Sequence, residues 1–217
     1  FSNTIMWFVE EFIDQEVGLV IKTNLRGNSR LDYLATEQQL TAVLARYPDR
    51  KCTVSLLHGD LTSGQMTGLY THSKIKAIIN IAHGEGFGLP IFEAAREGLP
   101  VITIGWSGQL DYLHHEGNNY FQSVKYTLNP VQESAVWDGV IEKDSMWANA
   151  DQGSYKMTLR KVFKNYDDAL AKSEELKDII AVKFDTEKLY KNFCEHIYKP
   201  DPELEQWLNK LDEMDNL

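Results

Sequence analysis

Apolar residues recur along the chain at two alternating spacings. Within Thr4–Phe12 (TIMWFVEEF), positions 5, 8, 9 and 12 are apolar, the intervals that line up on one side of a helix. Val17–Thr23 (VGLVIKT) follows as a β-branched run of strand length. The succession then repeats. Thr36–Tyr47 predicts a helix with Leu40, Val43, Leu44 and Tyr47 on one face, and Cys52–Leu57 predicts a strand. Leu61–Ser73 predicts a weaker helix carrying Met66, Leu69 and Tyr70, and Ala77–Ala82 a strand apolar at nearly every position. Pro90–Glu97 predicts a helix and Pro100–Ile104 a strand.

Near-continuous apolar strands separated by helices are the pattern of a parallel sheet covered on both faces. The fold expected is therefore α/β and Rossmann-like. Residues 118–150 show little periodicity and read as irregular. From Ser154 the pattern becomes helical, over Tyr155–Leu170, Ser173–Val182 and Thr186–Tyr198. Lys199-Pro-Asp-Pro202 breaks it, and Glu203–Met214 predicts a last helix with Leu204, Trp207, Leu208 and Leu211 in a stripe. Residues 1–198 are expected to form one domain and 199–217 a C-terminal helix.

The chain has 217 residues, with 22 Lys+Arg against 32 Asp+Glu for a net charge of −10. A duplex-binding surface wants the opposite sign, so nucleic acid is not an expected partner. Cys52 and Cys194 are too few for a disulfide framework or a four-thiolate metal site, and both read as buried thiols. No run reaches the roughly 18 apolar residues of a membrane span. No secretory pattern opens the sequence, and a soluble cytoplasmic protein is expected. Phe1 stands where Met would begin a protein, and the opening reads as the middle of a longer chain.

The chemistry concentrates in Ala82–Val101. Gly84, Gly86 and Gly88 follow an apolar strand, so the backbone there can turn tightly and come close to a ligand. Pro90 suits the start of a helix and Gly98 its end. Free N–H groups and the positive dipole end of that helix would face the glycine turn, an arrangement that favours anions. Open α/β sheets bind ligands at the carboxyl ends of their strands, where this turn falls. The spacing is neither GxGxxG nor GxxxxGK[ST], which argues against a standard dinucleotide or ATP site. Glu85 and Glu93 would repel phosphate but are strong acceptors for sugar or ribose hydroxyls. Glu93 could equally serve only the helix dipole.

Glu85 and Glu93, with seven residues between them in GEGFGLPIFEAAREGLPV, resemble the signature of retaining glycosyltransferase family 4, which has the GT-B fold. The resemblance is strong over 82–113 and looser over the rest of residues 5–198, where Trp147-Ala148 and the segment with Leu159-Arg160 resemble the family's C-terminal helices. It implies the C-terminal, nucleotide-sugar-binding domain, with the acceptor-binding domain and the first sheet strand outside this sequence. Glu85 would then be the catalytic-site carboxylate, contacting hydroxyls of the donor sugar. Backbone amides of Gly86, Phe87 and Gly88 would face sugar and diphosphate, and Glu93 would hold the ribose. Gly108 and Asp111 fall where the family often has Gly-Gly-x-x-Glu, with Ser107 in place of the first glycine.

The family's basic pair for the diphosphate would lie before Phe1. Lys22 is the remaining candidate cation, although an exposed strand-end lysine is the commoner state. His83 is a candidate for the sugar pocket and His58 for the neighbourhood of the base, whereas His114 and His115 read as surface. Tyr112, Tyr120 and Trp147 read as core. The expected donor is a UDP- or GDP-linked hexose, the acceptor is open, and no cofactor or metal is implied. This chain alone should not transfer sugar. Two further readings stay open: a non-catalytic nucleotide-sugar-binding or interaction domain, and a GT-B sugar-nucleotide epimerase.

Overall fold

A helix opens the chain because its apolar residues fall on one side: α1 (Ser2–Glu11) buries Ile5, Phe8 and Val9. The structure, a computed structural model, describes residues 1–197 together with Glu203 and Trp207. Two units divide the chain, 1–179 and 180–217.

In the first unit, β1 (Gly18–Thr23) and β2 (Thr53–His58) pair in parallel and are linked by α2 (Arg30–Leu44). After α3 (Ser63–Tyr70), β3 (Ile78–Asn80) and β4 (Val101–Ile104) pair in parallel around α4 (Leu89–Arg96). The short α5 (Leu110–Leu113) leads to a tight hairpin, β5 (His114–His115) and β6 (Asn118–Asn119). Then β7 (Gln122–Val124) joins β4, again in parallel. Parallel strands alternating with helices bear out the α/β expectation.

Helices lie in two groups. On one side α1 packs against α2 and α6 (Gln152–Lys164), and α6 against β7; α3 and α4 form the other group, with α4 on β3 and β4. One core gathers Ile5, Phe8, Val9 and Phe12 from the α1 region with Leu19, Ile102, Ile104 and Val124 from the strands and Tyr155, Leu159 and Val162 from α6. Arg160 reinforces the α1–α6 contact with two bonds to Glu11, at 2.6 and 2.7 Å.

Some expectations are corrected. Helix α2 starts at Arg30, not Thr36, because Ser29 caps it, its hydroxyl accepting from Asp32 N–H. Residues 118–150 are not irregular: besides β7 they form an antiparallel pair, β8 (Tyr126–Pro130) and β9 (Met146–Ala150). Trp147-Ala148 therefore lies in a strand, and its resemblance to a helical segment does not hold. A break at Asn165 ends α6, and α7 (Tyr166–Lys183) runs across the expected boundary at Leu170–Ser173.

Cys52 is buried, but Cys194 is exposed on α8 (Thr186–Ile197), a helix of the second unit with no buried residue. Of the expected Glu203–Met214 helix only Glu203 and Trp207 are described, both helical; Leu204, Leu208 and Leu211 lie outside the described residues. Among the described residues no helix is long and apolar enough to cross a membrane.

Candidate functional site

Strand β3 ends on Asn80, a polar residue inside an apolar run, and the glycine turn begins just beyond it. Asn80 Oδ1 accepts from Ala82 N–H at 2.8 Å, and Asn80 Nδ2 donates to Glu85 Oε1 at 2.7 Å. The Glu85 main chain is tied to the turn after β4. Its carbonyl accepts from Gly108 N–H at 2.9 Å and from the Ser107 hydroxyl at 2.8 Å. Its N–H donates to that same hydroxyl at 3.2 Å.

The two turns fit so closely that a Cβ on Gly108 would stand 1.8 Å from Gly86 O. Only glycine suits that position. Ser107, standing where a glycine was expected, adopts a left-handed φ of 80°. Its hydroxyl bonds offset the strain of that backbone.

Gly88 is the N-cap of α4 with φ 78°, so Leu89 opens the helix and Pro90 follows where no N–H is needed. Gly88 O accepts from Ile91 and Phe92 N–H and from Tyr112 Oη at 3.0 Å. The Phe87, Phe92 and Tyr112 rings pack together at 5.1–5.2 Å, so the Phe87 side chain braces the turn. Burial, and secondarily the charge of Glu85, pushes the Tyr112 phenol well above its ordinary pKa and keeps it a hydrogen-bond donor. The Gly86 and Gly88 N–H groups have no acceptor among the described residues. At the positive end of α4 they are available to an oxyanion.

A cleft of about 540 Å³ opens here, lined by Ala82–Gly86, Trp106, Ser107, Met146 and Trp147. The β8–β9 hairpin supplies its far wall. Trp147 stacks on His83 at 4.7 Å with 7° between the planes. Ala148 N–H donates to His83 O at 3.2 Å, and His83 Nδ1 lies 2.9 Å from Ala148 O. A carbonyl only accepts, so Nδ1 carries the proton and Nε2 is left for other contacts. A carboxylate and an open main-chain donor thus face a wall made of Met146 and the stacked Trp147 and His83 rings. Such a set suits a ligand with several hydroxyls and an apolar ring face.

The remaining expected residues lie apart from this cleft. Glu93 sits on α4, where Oε2 accepts from Tyr70 Oη at 3.4 Å. Burial first, then Glu93, pushes Tyr70 up to about 12. Lys22 donates to Gly59 O. His58 Nε2 donates to Asp32 Oδ2 at 2.8 Å, both side chains being nearly buried. Burial would raise the Asp32 pKa, but the His58 bond and the Leu25 and Arg26 N–H groups outweigh it and hold the carboxyl low. Gly108 acts through backbone fit, Tyr112 and Tyr120 are buried, His114 is exposed and His115 half-buried. Among the described residues no three His, Cys, Asp or Glu side chains gather as metal ligands.

Asn80, Trp106 and Met146 were not anticipated at the site, and Trp147 was expected in the core. Asn80 had a signal, a lone amide in Ala77–Ala82 five residues before Glu85. The hairpin residues had none, since they reach the cleft only through long-range pairing.

No protein-family model matches the chain, and no curated protein matches it by sequence. Among solved structures, it resembles that of Anabaena Alr3699/HepE in complex with UDP and glucose, at 13% identity and a TM-score of 0.58. The likeness covers 89% of this chain and 44% of HepE, so the chain spans less than half of that protein's length. The pneumococcal O-GlcNAc transferase GtfA in complex with UDP and GlcNAc superposes at 17% identity and a TM-score of 0.47, over 91% of this chain and 34% of GtfA. At such identities the HepE likeness is one of fold.

Proposed function

We propose that the chain is the donor-binding half of a retaining GT-B glycosyltransferase of family 4. In this reading a hexose passes from a nucleoside-diphosphate sugar to an acceptor hydroxyl. The observation that carries it is the Glu85 carboxylate, held by Asn80 at the end of a parallel strand and placed in a cleft beside open helix-terminal amides. The fold shared with HepE, whose structure holds UDP and glucose, supports UDP as the first base to test.

Glu85 accepts bonds from sugar hydroxyls, and the stacked His83–Trp147 pair forms one wall beside the ring. Gly86, Phe87 and Gly88 main-chain groups face the diphosphate, while Glu93 takes the ribose. The bond from the anomeric carbon to the diphosphate oxygen breaks, and a bond to the acceptor oxygen forms on the same face. The acceptor proton goes to the departing phosphate, whose growing charge the amides and helix dipole stabilise. No metal takes part. The acceptor-binding half belongs to a separate domain, so the 217-residue chain binds donor without transferring it.

Calorimetry of this chain with UDP, GDP, UDP-glucose and glucose is the test. Binding of a nucleotide, tightened by an attached hexose, is expected, with Glu85→Gln removing the added tightness and leaving bare nucleotide nearly unchanged. No heat with any of these ligands at millimolar concentration would overturn the reading.

A further inference from the structure

Helix α6 is fastened along β7 by two hydroxyls. Ser154 Oγ accepts from Lys125 N–H at 2.9 Å, and Thr158 Oγ1 donates to Ser123 O at 3.2 Å. Four residues of helix and two of strand advance by nearly the same length, so the two elements stay in step. The next turn of α6, with Lys161, Val162 and Asn165, therefore comes down beside Gln122, the first residue of β7. There α6 ends on Asn165, and α7 begins at once with Tyr166.

A cavity of about 310 Å³ lies at this junction. Val162 and Ala169 give it a buried apolar floor, and exposed Lys161, Asn165, Asp168 and Lys172 stand around it. Gln122 completes the lining at only 8% exposure. Among the described residues, none of these five polar side chains has a hydrogen bond or an ion pair. For surface lysines that is ordinary. For Gln122 it is not, because buried amides nearly always find partners. An unpaired amide beside a cavity points to whatever fills it.

The surrounding charges narrow the class of ligand. Lys161 and Lys172 bring two ammonium groups together in a chain whose net charge is −10. Such a pair suits a phosphate. Asp168 would repel a bare dianion but accepts from hydroxyls, and the Gln122 and Asn165 amides both donate and accept. The volume is at the small end of ligand cavities, which suits one sugar ring with its phosphate. Strand β7 runs parallel to β4, so its first residue lies at the end of the sheet away from the Ser107–Gly108 turn that follows β4.

We propose that the cavity at the α6–α7 junction is a second binding site, for a monosaccharide phosphate. Lys161 and Lys172 hold the phosphate, while Gln122, Asn165 and Asp168 take ring hydroxyls. The site is separate from the Glu85 cleft and stands or falls independently of the donor chemistry.

Nuclear magnetic resonance titration of the isotope-labelled chain tests it, with glucose 6-phosphate, glucose 1-phosphate, glucose and inorganic phosphate as probes. At least one sugar phosphate should shift the Gln122, Lys161, Asn165 and Lys172 signals saturably, and bind at least about tenfold more tightly than glucose or inorganic phosphate. Lys161→Ala and Lys172→Ala should each weaken it about tenfold, whereas UDP and Glu85→Gln should leave it unchanged. Gln122→Met should weaken binding without lowering the melting midpoint, because the lost amide has no partner in the protein. A lower midpoint with binding unchanged would give that amide a purely structural role and overturn the proposal. So would the absence of saturable shifts with either sugar phosphate at millimolar concentration, or binding that survives both lysine substitutions. Displacement by UDP would move the ligand to the Glu85 cleft, and equally tight inorganic phosphate would mean an adventitious ion only; either result refutes the site.

Discussion

Asn80, the last residue of β3, holds the Glu85 carboxylate through a 2.7 Å bond to Oε1 and leaves Oε2 without a partner among the described residues. A neutral donor at the end of a half-buried strand orients a charged acceptor without neutralising it. Asn80→Ala should lower affinity for UDP-glucose about fivefold, the worth of roughly 1 kcal/mol. Affinity for UDP should stay within twofold. Calorimetry with both ligands checks this, and an equal loss for UDP would mean that Asn80 serves only the fold.

The two acids should separate by ligand. Glu93→Gln is expected to weaken UDP and UDP-glucose alike, because ribose is common to both. Glu85→Gln should leave UDP nearly unchanged and weaken UDP-glucose by roughly 10- to 150-fold, the range for a lost bond to a charged acceptor of about 1.5–3 kcal/mol. Equal effects of both substitutions on UDP alone would show these roles to be misassigned.

Gly108→Ala tests the join between the two turns. Its new Cβ would meet Gly86 O at 1.8 Å, so one turn must move. A stability loss of about 1–3 kcal/mol is expected in denaturant titrations, together with loss of UDP-glucose binding. Ser107 offers the matching comparison. Ser107→Ala loses the hydroxyl bonds and keeps the φ of 80°, so it should destabilise more than Ser107→Gly, which relieves that strain.

Acid should expose the Asp32–His58 pair. The folded Asp32 pKa lies below its ordinary value, so its contribution is present above roughly pH 4 and is lost as pH falls through the lower folded value. Asp32→Asn should remove that part of the acid dependence. Melting curves between neutral pH and pH 3 on both proteins measure the difference, and parallel profiles would count against it.

Most of the sheet was legible because β1 to β4 are apolar runs bounded by breakers, and Glu85 was legible because its turn carries three glycines. Strand β7 was hidden by its brevity and by Gln122 and Ser123, polar residues that belong in no hydrophobic pattern. The β8–β9 pair was hidden for another reason. Its register matches Leu128 with Ala148 across a long connection, and nothing local announces a partner so distant in sequence. For the same reason Trp147, amphipathic like any indole, could not be told from a core residue until its stack on His83 was seen. Ser29 was the readable signal passed over, a cap three residues before Asp32 that begins α2.

The bonds around Glu85, Ser107 and Gly108 and those around Gly88 and Tyr112 give the cleft one hard jaw. Opposite it the hairpin is anchored at its base, where Ala148 is buried and Tyr126 meets Trp106, and is softer toward its exposed end at Met146. When a ligand enters, the hard jaw sets where its hydroxyls must lie, and adjustment to its bulk falls to the hairpin. Loop displacements of that kind run from nanoseconds to microseconds. Met146 and Trp147, at the hairpin's leading edge, are therefore where a change in the size of the accepted ring would first be written into the sequence.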